Sequence, residues 1–213
     1  MLRFQLPASR VRCHGVRMEL FCTPTSPFAR KARILFRELG LGVTEVMVDP
    51  LANDPRLLEK SPLGKVPVLL TDRGVVQDSR VIGGYFARLA GQDAAQSGFP
   101  ADEVLEATAD GVLDVAVSVV MERRRSPDET SPGFVDRQLK RIARTLDAHA
   151  VPASVPASAI PTRGQIAFAC VLGYLDFRLP EVLWRERRED LADWFADLAR
   201  RPSFIDTLPP GNA

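Results

Sequence analysis

An α/β unit of order β-α-β-α-β-β-α, followed by an all-α bundle, is the fold class this sequence predicts. Three observations carry it. Short β-branched runs alternate with helical periodicities up to residue 91, no convincing strand follows, and a connector bearing Pro, Gly and Ser at 92–101 divides the halves. The expected domains are therefore 18–91 and 102–213, with 1–17 outside the fold.

The totals suit such a chain. Its 213 residues, 46% hydrophobic and 26% charged, supply apolar material for one large domain or two small ones. A net charge of +1 gives no electrostatic reason to expect nucleic acid or an anionic membrane as partner. No run is long and apolar enough to span a bilayer. Cys13, Cys22 and Cys170 are odd in number, scattered and free of CxxC spacing. That is the usage of a reduced, cytoplasmic protein with neither a disulfide framework nor a metal cluster. His14 and His149 are too far apart for a histidine-based site, and His149, at a helix end, is expected at the surface.

Residues 1–17 carry four arginines, no acid and no apolar core of signal-peptide length. A mitochondrial-type presequence would show an amphipathic period, which is lacking. The simpler expectation is an upstream start with Met18 as the functional beginning, and a loosely ordered segment before it.

A short apolar strand at 19–22 ends at Thr23-Pro24-Thr25-Ser26-Pro27-Phe28. Ser26 suits an N-cap, and Pro27 suits the first helical position, where its missing N–H is no loss. From there Phe28, Ala32, Leu35, Phe36 and Leu39 recur at helical spacing, Gly40 closes the run, and Arg30, Lys31, Arg33 and Arg37 are expected mostly on the other face. Ser26 thus lies at the positive end of a helix dipole and at the carboxyl end of a strand, where an anion or thiolate is stabilised. Capping alone also accounts for a serine here, and a hydroxyl can accept a capping bond while donating its own hydrogen.

The β-branched run at 42–49 follows a helix, so it pairs in parallel with the first strand. A short helical piece at 55–60 leads to Gly64-Lys65-Val66-Pro67-Val68-Leu69. Proline at the head of a strand must begin it, lie at an edge, or be cis at a turn. A turn at 71–74 precedes a short antiparallel strand. Asp78-Ser79 then opens a helix with Ile82, Phe86 and Leu89 on one face, closed by Gly91.

In the second half, Val104, Thr108, Val112, Val115 and Val119 predict one long helix, and Val135, Leu139, Ile142 and Leu146 another from Ser131-Pro132. Residues 150–161 read as a loop. Thr162-x-x-Gln165 has capping-box spacing ahead of Ile166, Phe168, Ala169, Leu172 and Leu175, and a last helix holds Leu191, Trp194, Phe195 and Leu198.

Taken together, Ser26-Pro27, Gly64 to Leu69 and Asp78-Ser79 resemble the thioredoxin-like amino-terminal domain of glutathione S-transferases. Thr162-x-x-Gln165 resembles that family's capping box, with Gln for the usual Asp, and Arg201-Pro202-Ser203-Phe204 its closing stretch. Within the family the chain is most similar to small bacterial members with a Thr-Ser-Pro-Phe start and a Gly-Tyr-Leu-Asp-Phe-Arg stretch, here Gly173 to Arg178. The turn offers no tyrosine, so the resemblance is not to the tyrosine-using classes.

The resemblance implies an enzyme that binds glutathione as co-substrate, without a metal, and conjugates it to a small hydrophobic electrophile, in a homodimer. The γ-glutamyl carboxylate would meet Ser79, Asp78 would face the α-amino group, and the main chain of Val66 before a cis Pro67 would pair with the cysteinyl unit. Lys65 would neutralise the glycyl carboxylate, or be a solvated loop lysine. The thiol would lie over Ser26. A thiol of pKa about 8.5 must fall by roughly 2 pH units, or about 2.7 kcal/mol, to ionise near neutrality. A helix terminus supplies roughly 0.3–2 kcal/mol and a hydrogen bond to a charged group about 1.5–3 kcal/mol, so the two together suffice. The acceptor is expected between the turn at Pro24-Thr25 and the helix end at 121–125. Arg123-Arg124-Arg125 reads as a solvated helix end.

Three alternatives stay open on the same scaffold: a thiol reductase using Cys22, which otherwise reads as a small buried residue; a glutathione-dependent isomerase or dehalogenase; and a non-catalytic glutathione-binding or interaction module.

Overall fold

The computed structural model describes residues 17–92 and 100–211. The expectations for 1–16, including Cys13 and His14, and for most of the connector, lie outside the described residues. Four strands, β1 (Glu19–Cys22), β2 (Thr44–Met47), β3 (Val68–Thr71) and β4 (Gly74–Val76), form one sheet of order β2-β1-β3-β4. β2 is parallel to β1, Glu19 opposite Thr44, while β3 runs antiparallel to β1, Leu20 opposite Leu69, and β4 antiparallel to β3. Helices α1 (Pro27–Glu38), α2 (Pro55–Lys60) and α3 (Ser79–Leu89) connect and follow these strands, which completes the expected thioredoxin-like order.

Strand alternation sorts the core. Leu20, Cys22 and Leu69 point to the side packed with Ala32, Leu35, Ile82 and Phe86, whereas Phe21 and Val68 meet Val48 and Leu57 of the α2 side. The larger cluster runs on without a break into the helical part, through α4 (Ala101–Glu122), α5 (Pro132–Ala148), α6 (Arg163–Arg178), α8 (Glu189–Ala199) and α9 (Pro202–Ile205). A 3-10 turn at Pro180–Val182 and the short helix α7 (Trp184–Arg187), both outside the sequence expectations, join α6 to α8. Their hydrogen bonds are local, and four residues carry too little periodicity to read.

Two expectations are corrected. Arg30, Lys31 and Arg33, expected mostly on the face opposite the apolar stripe, are 6%, 4% and 7% exposed, because the helical part covers Arg30 and Lys31 while Arg33 lies against Glu45 of β2. Arg30 donates to the Phe204 carbonyl (3.2 Å) and Thr207 Oγ1 (3.4 Å), and Arg33 to Glu45 (2.9 Å). The long helix expected from Val104 to Val119 is α4, whose buried face runs through Ala109, Val112, Leu113, Ala116 and Val119 while Val104 is exposed. His149 is half-buried, its ring 4.7 Å from that of Phe168.

Candidate functional site

Ser26 is the N-cap of α1: its extended backbone (φ −78°, ψ 120°) turns the chain out of β1, and its Oγ accepts from the Ala29 N–H at 3.2 Å. With Pro27 at the first position and no acid in the first turn, the positive end of the helix beside it is not offset from within that turn. The hydroxyl hydrogen stays available to a further acceptor.

Gly64, in the left-handed region (φ +62°), bends the chain into Lys65 and Val66, and the Val66–Pro67 peptide is cis, as is Gln77–Asp78. Pro67 is buried, Lys65 exposed. Among the described residues neither the N–H nor the C=O of Val66 has a protein partner, so an extended peptide could pair there as an added strand. Asp78 caps α3, with Oδ1 accepting from the N–H groups of Arg80 (3.0 Å) and Val81 (3.3 Å). Ser79, the first helical residue, is 5% exposed.

The structure brings all six residues together. Two adjoining cavities hold them: one of about 640 Å³ is lined by Lys65, Val66, Pro67, Asp78 and Ser79, the other, of about 410 Å³, by Ser26, Lys65 and Val66. Phe28, Lys65, Val66 and Asp114 line both, so the cavities meet beside the start of α1. A larger hollow of about 790 Å³, between the end of α1 and the 200–206 stretch, contains none of the six.

Beneath Ser79 lies a buried ionic group. Lys31 Nζ is 2.5 Å from Asp110, 3.3 Å from Glu106 and 3.4 Å from Ser79 Oγ, while Arg80 lies 3.4 Å from Asp110 and Arg163 3.9 Å from Glu106. Burial pushes both carboxyls above their ordinary range, and the Lys31 ammonium pulls against it. Cys22, by contrast, is sealed in the core, its Sγ 4.0 Å from Met47 Sδ, and burial, with Glu45 adding to it, pushes its thiol up to about 11. A thiol held protonated is a poor nucleophile.

A family model for the glutathione S-transferase N-terminal domain matches residues 20–94. The GST-like protein YibF of Escherichia coli K12 is 33% identical over 204 residues, 91% of this chain and 99% of its own. The chain belongs to the glutathione S-transferase family. Among solved structures, a glutathione transferase family member from Pseudomonas fluorescens Pf-5 with bound glutathione is 34% identical, with TM-score 0.78 over 91% of this chain and 99% of that one. A glutathione S-transferase from Methylobacterium radiotolerans in complex with glutathione sulfonate is 30% identical, with TM-score 0.80 over 92% and 97%.

In this glutathione S-transferase family member the cavity beside Ser26 is lined by Thr25, Met121 and Arg124, within the stretch expected to hold the acceptor, and by further residues that the sequence left unassigned. Asp114, Val117 and Met121 of α4 carry their own helical spacing (i, i+3, i+7), distinct from the core stripe, and Tyr174 and Arg178 are spaced i, i+4 on α6. Those spacings were available in the sequence. The signal that they face one cavity was not, since it depends on how α4 and α6 pack across Ser26.

Proposed function

We propose that this chain is a glutathione transferase in which Ser26 stabilises the thiolate of bound glutathione for attack on a small electrophile. The supporting observation is the continuity of the two cavities, which lets one tripeptide reach the α3 corner, the Val66 backbone and the α1 cap. Asp78 and Ser79 take the γ-glutamyl end, with the Ser79 N–H at a helix start and the free Asp78 oxygen for the ammonium. The unpaired N–H and C=O of Val66 take the cysteinyl peptide, and Lys65 balances the glycyl carboxylate.

Ser26 then donates its hydroxyl hydrogen to the sulfur while the α1 terminus supplies a positive field. The thiol proton leaves to solvent, the sulfur lone pair forms the new S–C bond, and a leaving group such as chloride departs with its electron pair. Cys22 is unsuited to the alternative of thiol-disulfide exchange, because it is inaccessible and protonated.

The test is Ser26→Ala, read by glutathione binding, by the ultraviolet absorbance of bound thiolate against pH, and by turnover with 1-chloro-2,4-dinitrobenzene. Loss of a hydrogen bond to a charged group, about 1.5–3 kcal/mol, raises the thiol pKa by roughly 1–2 pH units and lowers turnover about ten- to hundredfold. Unchanged turnover removes Ser26 from the chemistry, and failure of the unaltered protein to bind glutathione removes the whole assignment.

A further inference from the structure

The 410 Å³ cavity beside Ser26 is polarised along its length. Its floor is apolar, with Phe28 of α1 and Val117, Val120 and Met121 of α4. Asp114 marks the end shared with the glutathione cavity; from there α4 runs roughly 12 Å further to its last residue, Glu122, and Arg124 lies in the turn just beyond it. Arg178, the last residue of α6, lines the same cavity.

These two arginines differ from their neighbours. Arg123 is paired with Glu181 and Arg185 with Asp176, whereas among the described residues neither Arg124 nor Arg178 has a carboxylate within ion-pair distance. The Arg178 guanidinium is held over the Phe177 ring, 3.9 Å from its centre, which fixes its plane without neutralising it. Between them is Tyr174, 7% exposed, whose hydroxyl has no hydrogen-bond partner among the described residues. The hydroxyl is not among the fully buried unpaired polar atoms, so it opens to the cavity and can donate to a group there. Burial raises the phenol's pKa, and the charges of Arg178 and Arg124 both pull it back, consistent with the two guanidinium groups flanking it. The other acid in the lining, Asp49, is occupied, its Oδ1 accepting from the N–H groups of Leu51 and Ala52.

We propose that the acceptor is an electrophile with an apolar body and a carboxylate at its far end, the body on Phe28, Val117, Val120 and Met121 and the carboxylate held by Arg124, Arg178 and the Tyr174 hydroxyl. This rests on the reading that glutathione occupies the adjoining cavity with its sulfur at Ser26. The reacting carbon then faces Ser26 while the charge lies at the other end, so the carboxylate selects and orients without entering the reaction.

The experiment compares two product conjugates by calorimetry, S-(4-carboxy-2-nitrophenyl)glutathione and its 4-carboxamide, with glutathione itself titrated alongside. Charge-assisted contacts predict that the carboxylate binds at least about tenfold more tightly than the carboxamide, a ratio that shrinks with added salt. Arg124→Gln, at an exposed position, lowers the ratio. Arg124→Gln with Arg178→Gln brings it to about 1, and the Lys pair retains part of it. Because the readout is a ratio of two ligands sharing one glutathione moiety, general damage to the fold cancels. Equal affinities in the unaltered protein, or a ratio indifferent to the arginine changes, overturn the anionic acceptor and leave glutathione binding intact. Failure of glutathione itself to bind overturns both readings.

Discussion

Glu38, the last residue of α1, accepts from Arg201 Nε (2.9 Å) and Nη2 (2.7 Å) and from Ser203 Oγ (2.5 Å), and so clamps the closing stretch to the first helix. Burial pulls its carboxyl upward, but the three hydrogen bonds and the Arg201 charge outweigh that and hold it below the usual glutamate range. The sign follows from linkage. A group whose pKa is lower folded than unfolded stabilises fully above its unfolded value, about 4.3, and that contribution is lost as pH falls through the folded one. Urea midpoints measured from pH 6 down to pH 3 are therefore expected to fall more steeply for the unaltered protein than for Glu38→Gln. Glu45, paired with Arg33 and Arg37, is depressed for the same reasons and contributes to acid loss in both proteins, so only the difference between the curves is diagnostic. Parallel curves would mean that Glu38 titrates alike folded and unfolded.

At the scale of elements, α6 depends on its start. Thr162 Oγ1 accepts from the Gln165 N–H (3.2 Å), and the Gln165 side chain accepts from the Thr162 N–H (2.9 Å), so the box closes with an uncharged partner. Asp102 at the head of α4 accepts from Thr162 Oγ1 and from the Gly164 N–H, and its carbonyl lies where a side chain on Gly164 would be. Thr162→Ala is expected to lower unfolding free energy in urea by about 0.5–2 kcal/mol, near the upper end because the Asp102 bond goes too. Thr162→Ser, which keeps the hydroxyl, should lie close to the unaltered protein. This box was readable in the sequence, like the Ser26-Pro27 turn and the Asp78 cap, because the capping partners themselves lie within three residues. The burial of Arg30 and Lys31 was not readable. Their partners Phe204 and Asp110 stand 174 and 79 residues further on, and a helical period reports which residues share a face, never what will cover it. Gly173 shows the same limit: a side chain there would meet the Arg30 guanidinium, a contact visible only once α1 and α6 are packed.

Across the whole molecule, one ionic group fastens the sheet-bearing half to the helical half. Lys31 comes from α1, Glu106 and Asp110 from α4, Arg163 from α6, and Arg80 from α3, and the Lys31 ammonium also touches Ser79. Lys31, Glu106 and Asp110 are nearly inaccessible to water, so among the described residues their desolvation is met by each other, by the Ser79 hydroxyl and by the two arginines at the margin. Removing the cation therefore does more than remove one attraction, because two buried carboxyls face each other with only Arg80 and Arg163 left to balance them. Lys31→Met, which keeps most of the volume, is expected to lower unfolding free energy by about 3–5 kcal/mol at neutral pH, a loss that shrinks on acidification as the carboxyls take up protons. Adding Asp110→Asn should recover part of it by removing one of the stranded charges. Glutathione affinity should fall with Lys31→Met as well, since Ser79 loses the ammonium that fixes its hydroxyl beneath the α3 corner. If stability drops without the pH trend, the destabilisation belongs to lost packing around α1, and the junction between the halves is held by the shared apolar core alone.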